Sequence, residues 1–168
     1  MKTIRINLLL FLLALFFTGC GVYSFTGASI PPEAKTISID YFPNNADIIE
    51  PTLSQEFTTA LRDKFVSQTN LDLVPKNGDL RITGEIREYK VTPVAITGDQ
   101  TAALNRLTIS VDVVYVNTFE EEKGFESGFS RYEDYESSED LATVKANLIA
   151  EINEMLVDDI FNKAVVNW

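Results

Sequence analysis

Between Arg106 and Tyr115 the stretch RLTISVDVVY alternates in register with a strand. Leu107, Ile109, Val111, Val113 and Tyr115 take one side; Arg106, Thr108, Ser110 and Asp112 take the other. Successive strand side chains point to opposite faces, so this segment needs a core on one side and water on the other. A sheet of such strands must be covered on one face only. That disfavours a parallel sheet buried on both faces and favours a sheet with all its helices on one side.

The remaining elements follow the same logic. KTISIDYF places Ile37, Ile39 and Tyr41 on one face and Ser38 and Asp40 on the other, and PNNAD reads as a turn. From Glu50 the period lengthens: Pro51 suits a first helical position, and Leu53, Phe57, Leu61 and Phe65 recur every fourth residue with Ala60 on the same face. Gln55, Glu56, Arg62 and Asp63 cover the exposed side, and the helix is expected to end near Asn70. LDLV is a short strand. Leu80, Ile82, Gly84 and Ile86 alternate with Arg81, Thr83, Glu85 and Arg87, and Pro93 ends that strand or marks an edge. TGDQTA is a loop, EEEKG a hairpin turn, and FESGFSRYEDY a further strand weakened by Gly128. Ser137 and Ser138 suit a helix cap, and Glu139 and Asp140 a helix N-terminus. Leu141, Val144, Leu148, Ile152, Met155, Leu156 and Ile160 then form one apolar stripe, running to about Lys163.

The predicted fold is therefore α+β, with the order β-α-β-β-β-β-α. Two helices pack on one face of a mixed four- to five-stranded sheet, and the first strand–helix–strand connection is compatible with a βαβ crossover. The segmentation is a leader over 1–19, an entry segment over 20–35 and a single domain over 36–168.

The leader is read from three parts. Lys2 and Arg5 are a positive start, Leu8 to Phe17 an unbroken apolar run, and Thr18 and Gly19 small residues. The apolar run is far short of the roughly 20 residues a spanning helix needs. Phe17-Thr18-Gly19-Cys20 resembles a lipobox, with phenylalanine where leucine is more usual. That resemblance implies a diacylglycerol thioether on Cys20, cleavage between Gly19 and Cys20, and an N-acyl chain such as palmitate on the new amine. Two or more chains anchor a protein stably where one does not. Residue 21 is Gly rather than Asp. In cells with two membranes this implies an outer-membrane lipoprotein facing the periplasm. After cleavage, 12 Lys and Arg stand against 25 Asp and Glu, a side-chain charge of −13, so lipid rather than a basic patch must hold the chain on a membrane.

The same acidity argues against nucleic acid. The 168 residues include no histidine and one cysteine. That removes the commonest general base, the usual metal-ligand sets and an internal disulfide. No G-x-S-x-G, phosphate loop or calcium loop occurs. Glu120-Glu121-Glu122, Glu133-Asp134, Glu139-Asp140 and Asp158-Asp159 read as solvated surface; Glu133 and Asp134 fall on opposite strand faces. The expectation is a protein without catalytic, metal or cofactor sites apart from the acyl groups on Cys20.

Two other sets have binding potential. Arg81, Arg87 and Arg106 share the polar sheet face and could meet lipid phosphate or a partner, although ordinary cross-strand pairing with Glu85 and Asp112 is the favoured reading. Tyr23, Phe25, Phe125, Phe129, Tyr132 and Tyr135 lie outside the main stripes, as core filling or as an interface.

GCGVYSFTGASIPPEAKTISIDYFPNNA, then EPTLSQEFTTALRDKF, TNLDLV and GFSRYEDYESSEDL, resemble the LptE family of lipopolysaccharide-assembly lipoproteins, from Cys20 to about Lys163. The resemblance implies two helices against a mostly four-stranded sheet. It also implies a plug seated in the LptD outer-membrane β-barrel, supporting barrel assembly and the placing of lipopolysaccharide in the outer leaflet. Lipopolysaccharide contact through basic residues is a further implication, which the mature charge of −13 opposes. The alternatives are a periplasm-facing, lipid-anchored binding module for an unrelated ligand or envelope protein, and a carboxylate hydrolase using Glu133 and Asp134.

Overall fold

The strand that alternates most strictly in sequence is the second-to-edge strand of a five-stranded sheet. In the computed structural model the elements are β1 (Thr36–Ile39), α1 (Leu53–Gln68), β2 (Asp72–Leu73), β3 (Leu80–Val94), β4 (Leu104–Asn117), a 3-10 turn (Glu121–Lys123), β5 (Phe125–Glu136) and α2 (Leu141–Val165). The structure describes residues 30–94 and 104–166. The leader, Cys20 with its cleavage site, Tyr23, Phe25 and the TGDQTA loop lie outside the described residues.

The sheet order is β2-β1-β3-β4-β5. β1 runs parallel to β2 on one side and to β3 on the other, so β1–α1–β2 is the crossover that a parallel pair requires. β3, β4 and β5 form an antiparallel meander. The expected α+β order is observed, with five strands. Leu107, Ile109, Val111, Val113 and Tyr115 of β4 are buried together with Ile37, Ile39, Leu80, Ile82 and Ile86. Phe57, Leu61 and Phe65 of α1 and Leu148, Ile152, Leu156 and Ile160 of α2 complete one continuous cluster. Burying each such side chain contributes about 1.5–3 kcal/mol.

Four local readings are corrected. Tyr41 is 52% exposed and Phe42 fully buried, because β1 stops at Ile39 and the chain leaves the strand phase. The Phe42 N–H donates to Thr58 Oγ1 at 3.1 Å, and Arg62, expected in solvent, donates to the Ile39 carbonyl at 2.6 and 3.1 Å. α1 therefore holds the end of β1 through two polar side chains. Second, Ser38 is buried, because the turn from β2 to β3 crosses over it. Gly78 N–H donates to Ser38 Oγ, and a Cβ on Gly78 would stand 2.5 Å from the Ser38 nitrogen. Third, both helices begin later than expected. Pro51 lies in the turn before α1, and Asp140 rather than a serine caps α2, accepting from Ala142 N–H at 3.0 Å. Fourth, the buried band of α2 is wider than the predicted stripe. Ile149, Asn153, Val157 and Phe161 form a second row facing α1.

β3 also departs from simple alternation. The register shifts between Ile86, paired with Val111, and Glu88, paired with Ser110, so Arg87 is the extra residue of a β-bulge. The bulge puts Arg87 and Glu88 both on the polar face and returns Tyr89 to the core. Pro93 sits within β3 opposite Asn105, beyond the reach of β1, where its missing N–H breaks no ladder.

Candidate partner-facing surfaces

The helices cover one face of the sheet; the other is open and built from paired polar side chains. On β4 and β5 the register sets Arg106 opposite Asp134. The two form a bidentate pair, Nε–Oδ1 2.7 Å and Nη2–Oδ2 2.9 Å, and the guanidinium stacks 3.5 Å from the Tyr132 ring centroid. The guanidinium hydrogen bonds hold the Asp134 carboxyl below its usual range, and those with the carboxylate raise Arg106 in turn. At the centre, Ser110 Oγ lies 2.9 Å from both Glu88 Oε2 and Ser130 Oγ. Arg87 reaches Asp112 more loosely, at 3.6 Å, and Asn45 donates to Glu85 at 2.6 Å.

All three arginines singled out from the sequence are on β3 or β4, but they are not gathered. Arg81 is opposite Val116 and Arg106 opposite Thr92, so roughly 35 Å of strand separates them. Arg81 forms no ion pair among the described residues, and its Nε is buried without a partner. Beside it the open face turns apolar, with Val114, Val116 and Phe119 exposed. Of the aromatics, Phe125 and Phe129 pack half-buried on the core, Tyr135 is buried, and Tyr132 is half exposed on the outer face. Asp134 points to the outer face with Arg106, whereas Glu133 is paired in register with Leu107 of the core face. The adjacent carboxylates do not share a site.

A second surface lies on the far side of the molecule, where α1 and α2 run side by side. They leave an open groove of about 900 Å³. Its floor is Ala60, Ala146, Ala150 and Val157; Glu56, Asp63, Glu154 and Asp158 line it with Lys64 as the one cation. Lys64 is already bound to Asp158 at 2.6 Å. Asn153 also lines this groove; it is 4% exposed and its Oδ1 has no hydrogen-bond partner among the described residues. The sequence reading passed over Asn153. Its only signal is position, midway at four-residue spacing between Ile149 and Val157.

Ion pairs hold these two surfaces to the same frame. Lys145 of α2 reaches Glu50, before α1, at 2.9 Å, and Arg131 of β5 makes a bidentate pair with Asp159 of α2 at 2.6 and 2.7 Å. Lys163 donates to Ser127 Oγ at 2.7 Å and sits 4.8 Å from the Phe125 ring centroid. No helix among the described residues is long and apolar enough to cross a membrane.

Comparison with known proteins adds the family. A family model, LptE, described as lipopolysaccharide-assembly, matches residues 34–164. Among curated proteins none matches. Among solved structures, a hypothetical protein from Chlamydia trachomatis is similar with a TM-score of 0.56 at 12% identity, covering 80% of this chain and 99% of its own. A protein from Xanthomonas campestris has a TM-score of 0.50 at 14% identity, covering 81% of this chain and 91% of its own. At these identities the likeness is one of fold.

Proposed function

The chain belongs to the LptE lipopolysaccharide-assembly family, and from that premise we propose that it is an outer-membrane lipoprotein that plugs an LptD-like β-barrel. In this reading it supports the barrel's assembly and the insertion of lipopolysaccharide into the outer leaflet, and its role is non-catalytic. Cys20 carries the diacylglycerol and the N-acyl chain after cleavage behind Gly19, and the domain faces the periplasm.

The observation that favours a plug is the one-sided core. A barrel lumen is polar and wet, so its occupant needs a closed core and polar outer faces. Here the sheet face opposite the helices is largely closed by its own pairs, above all Arg106–Asp134 and the Glu88–Ser110–Ser130 chain. Arg81, Arg87 and Arg106 face the barrel wall or passing lipopolysaccharide. Of the three, Arg81 is the best placed for a new anion, since it forms no ion pair among the described residues.

The test is recovery of the tagged protein from a detergent extract of its own membranes, with mass spectrometry of what comes with it. A stoichiometric outer-membrane β-barrel is expected, and depletion of the protein should lower barrel levels and make the outer membrane leaky. Normal barrel levels and permeability after depletion would refute the plug. A stable complex with an unrelated envelope protein would instead support the lipid-anchored binding module.

A further inference from the structure

We infer that the groove between α1 and α2 is a contact site for basic side chains, Lys or Arg, on the inner wall of the partner barrel. This rests on the plug reading and assigns a second contact surface, opposite the open sheet face.

Three observations converge on the groove. Its charge is one-sided: four carboxylates line it against one ammonium, and that ammonium is bound to one of the four. Glu56, Asp63 and Glu154 are therefore left without a cation within ion-pair distance among the described residues. Its floor is small, since Ala60, Ala146 and Ala150 keep the helix backbones accessible to an entering side chain. The third is the amide of Asn153. A buried acceptor without a donor is a net cost to the fold, and an apolar residue of similar size would remove it. An arriving ammonium or guanidinium meets the carboxylates, and a turn of the Asn153 amide toward it gives the buried oxygen its missing donor.

Charge selects the class of partner. A lipid phosphate or an acidic peptide would be repelled by this rim, whereas Arg and Lys side chains complement it. A second copy of the chain, carrying the same acidic groove, offers no complement on that face.

The experiment uses the full lipidated protein, co-purified with its barrel from a detergent extract. A photo-crosslinking benzoylphenylalanine at Ala150, exposed in the groove, is expected to capture barrel peptides that contain Lys or Arg. Glu56→Lys with Glu154→Lys should lower barrel recovery by about tenfold. Glu33→Lys, exposed in the turn before β1 and on neither surface, should lower it much less. Asn153→Leu should lower recovery while the Tm of the isolated protein stays equal or rises. Wild-type recovery by the groove variants overturns the inference, as do crosslinks confined to the same chain or to a second copy, or a lowered Tm for Asn153→Leu. If the wild-type protein itself recovers no barrel, the plug reading falls, and this inference with it. A barrel recovered equally by wild type and groove variants leaves the plug standing and removes the groove.

Discussion

Phe42 occupies the space that a side chain at Gly84 would need. A Cβ on Gly84 would stand 2.6 Å from Phe42 Cε1 and 2.1 Å from the Asp112 carbonyl oxygen. The ring, packed edge-on against Phe57 at 5.1 Å, is thereby fixed over the middle of β3.

Gly84→Ala should therefore destabilise the fold by about 1–3 kcal/mol, since neither the β4 backbone nor a fully buried ring can give way cheaply. Urea unfolding measures it: the midpoint should fall with the slope unchanged. An unaltered midpoint would show that Phe42 is free to move.

Asp79 joins three strands. Its Oδ2 accepts from the Lys35 N–H, the Thr36 N–H and Thr36 Oγ1, each at 2.9 Å, and its carbonyl accepts from Thr118 N–H and Oγ1. The Lys35 amide first, then the Thr36 hydroxyl and amide, hold its carboxyl below the ordinary value of 3.8. A depressed carboxylate stabilises the fold above its unfolded pKa and loses that contribution as pH falls through the folded one. Asp79→Asn should thus show a shallower loss of stability below about pH 4 than wild type. Identical acid-unfolding curves would count against the clamp.

Burial, with Glu120 adding to it, pushes the Tyr115 phenol up to about 12. An unfolded tyrosine ionises near pH 10, so the stabilising contribution is whole below about 10 and is lost as pH rises from there to about 12. Tyr115→Phe should flatten that alkaline loss. Ultraviolet titration of the folded wild type should lose one late phenolate transition in the variant.

Arg106 combines a fork to Asp134 with stacking on Tyr132, and lysine can do neither in that geometry. Arg106→Lys should lower Tm by no more than a few degrees, because the pair is partly solvated, and the difference should shrink in high salt. Thermal melts at two ionic strengths check this. A difference that grows with salt would rule out an electrostatic origin.

Cys20→Ala should leave an unprocessed precursor without added acyl mass, read by mass spectrometry of the membrane fraction. A normally processed, membrane-bound variant would contradict the lipid anchor.

Much of the fold was legible because periodicity reports backbone geometry directly. The alternation in β4 marked every buried apolar residue of that strand from Leu107 to Tyr115, but not Ser110, which is buried on the opposite side among Glu88 and Ser130. The four-residue recurrence of Leu53, Phe57, Leu61 and Phe65 marked the buried face of α1. Where the reading slipped, the backbone had left its regular phase. Tyr41 and Phe42 follow the end of β1, and Arg87 is a bulge residue.

The sequence by itself determined the order of the strands and helices and the main apolar side of each, because those are properties of neighbours in the chain. Only the tertiary structure decided which polar groups meet. Arg106 meets Asp134 through the β4–β5 register. Glu50 meets Lys145 across 95 residues, and Asn153 Oδ1 is left without a partner among the described residues. No local pattern encodes such meetings. They follow from how the layers stack and how the strands align once the apolar faces have closed on one another.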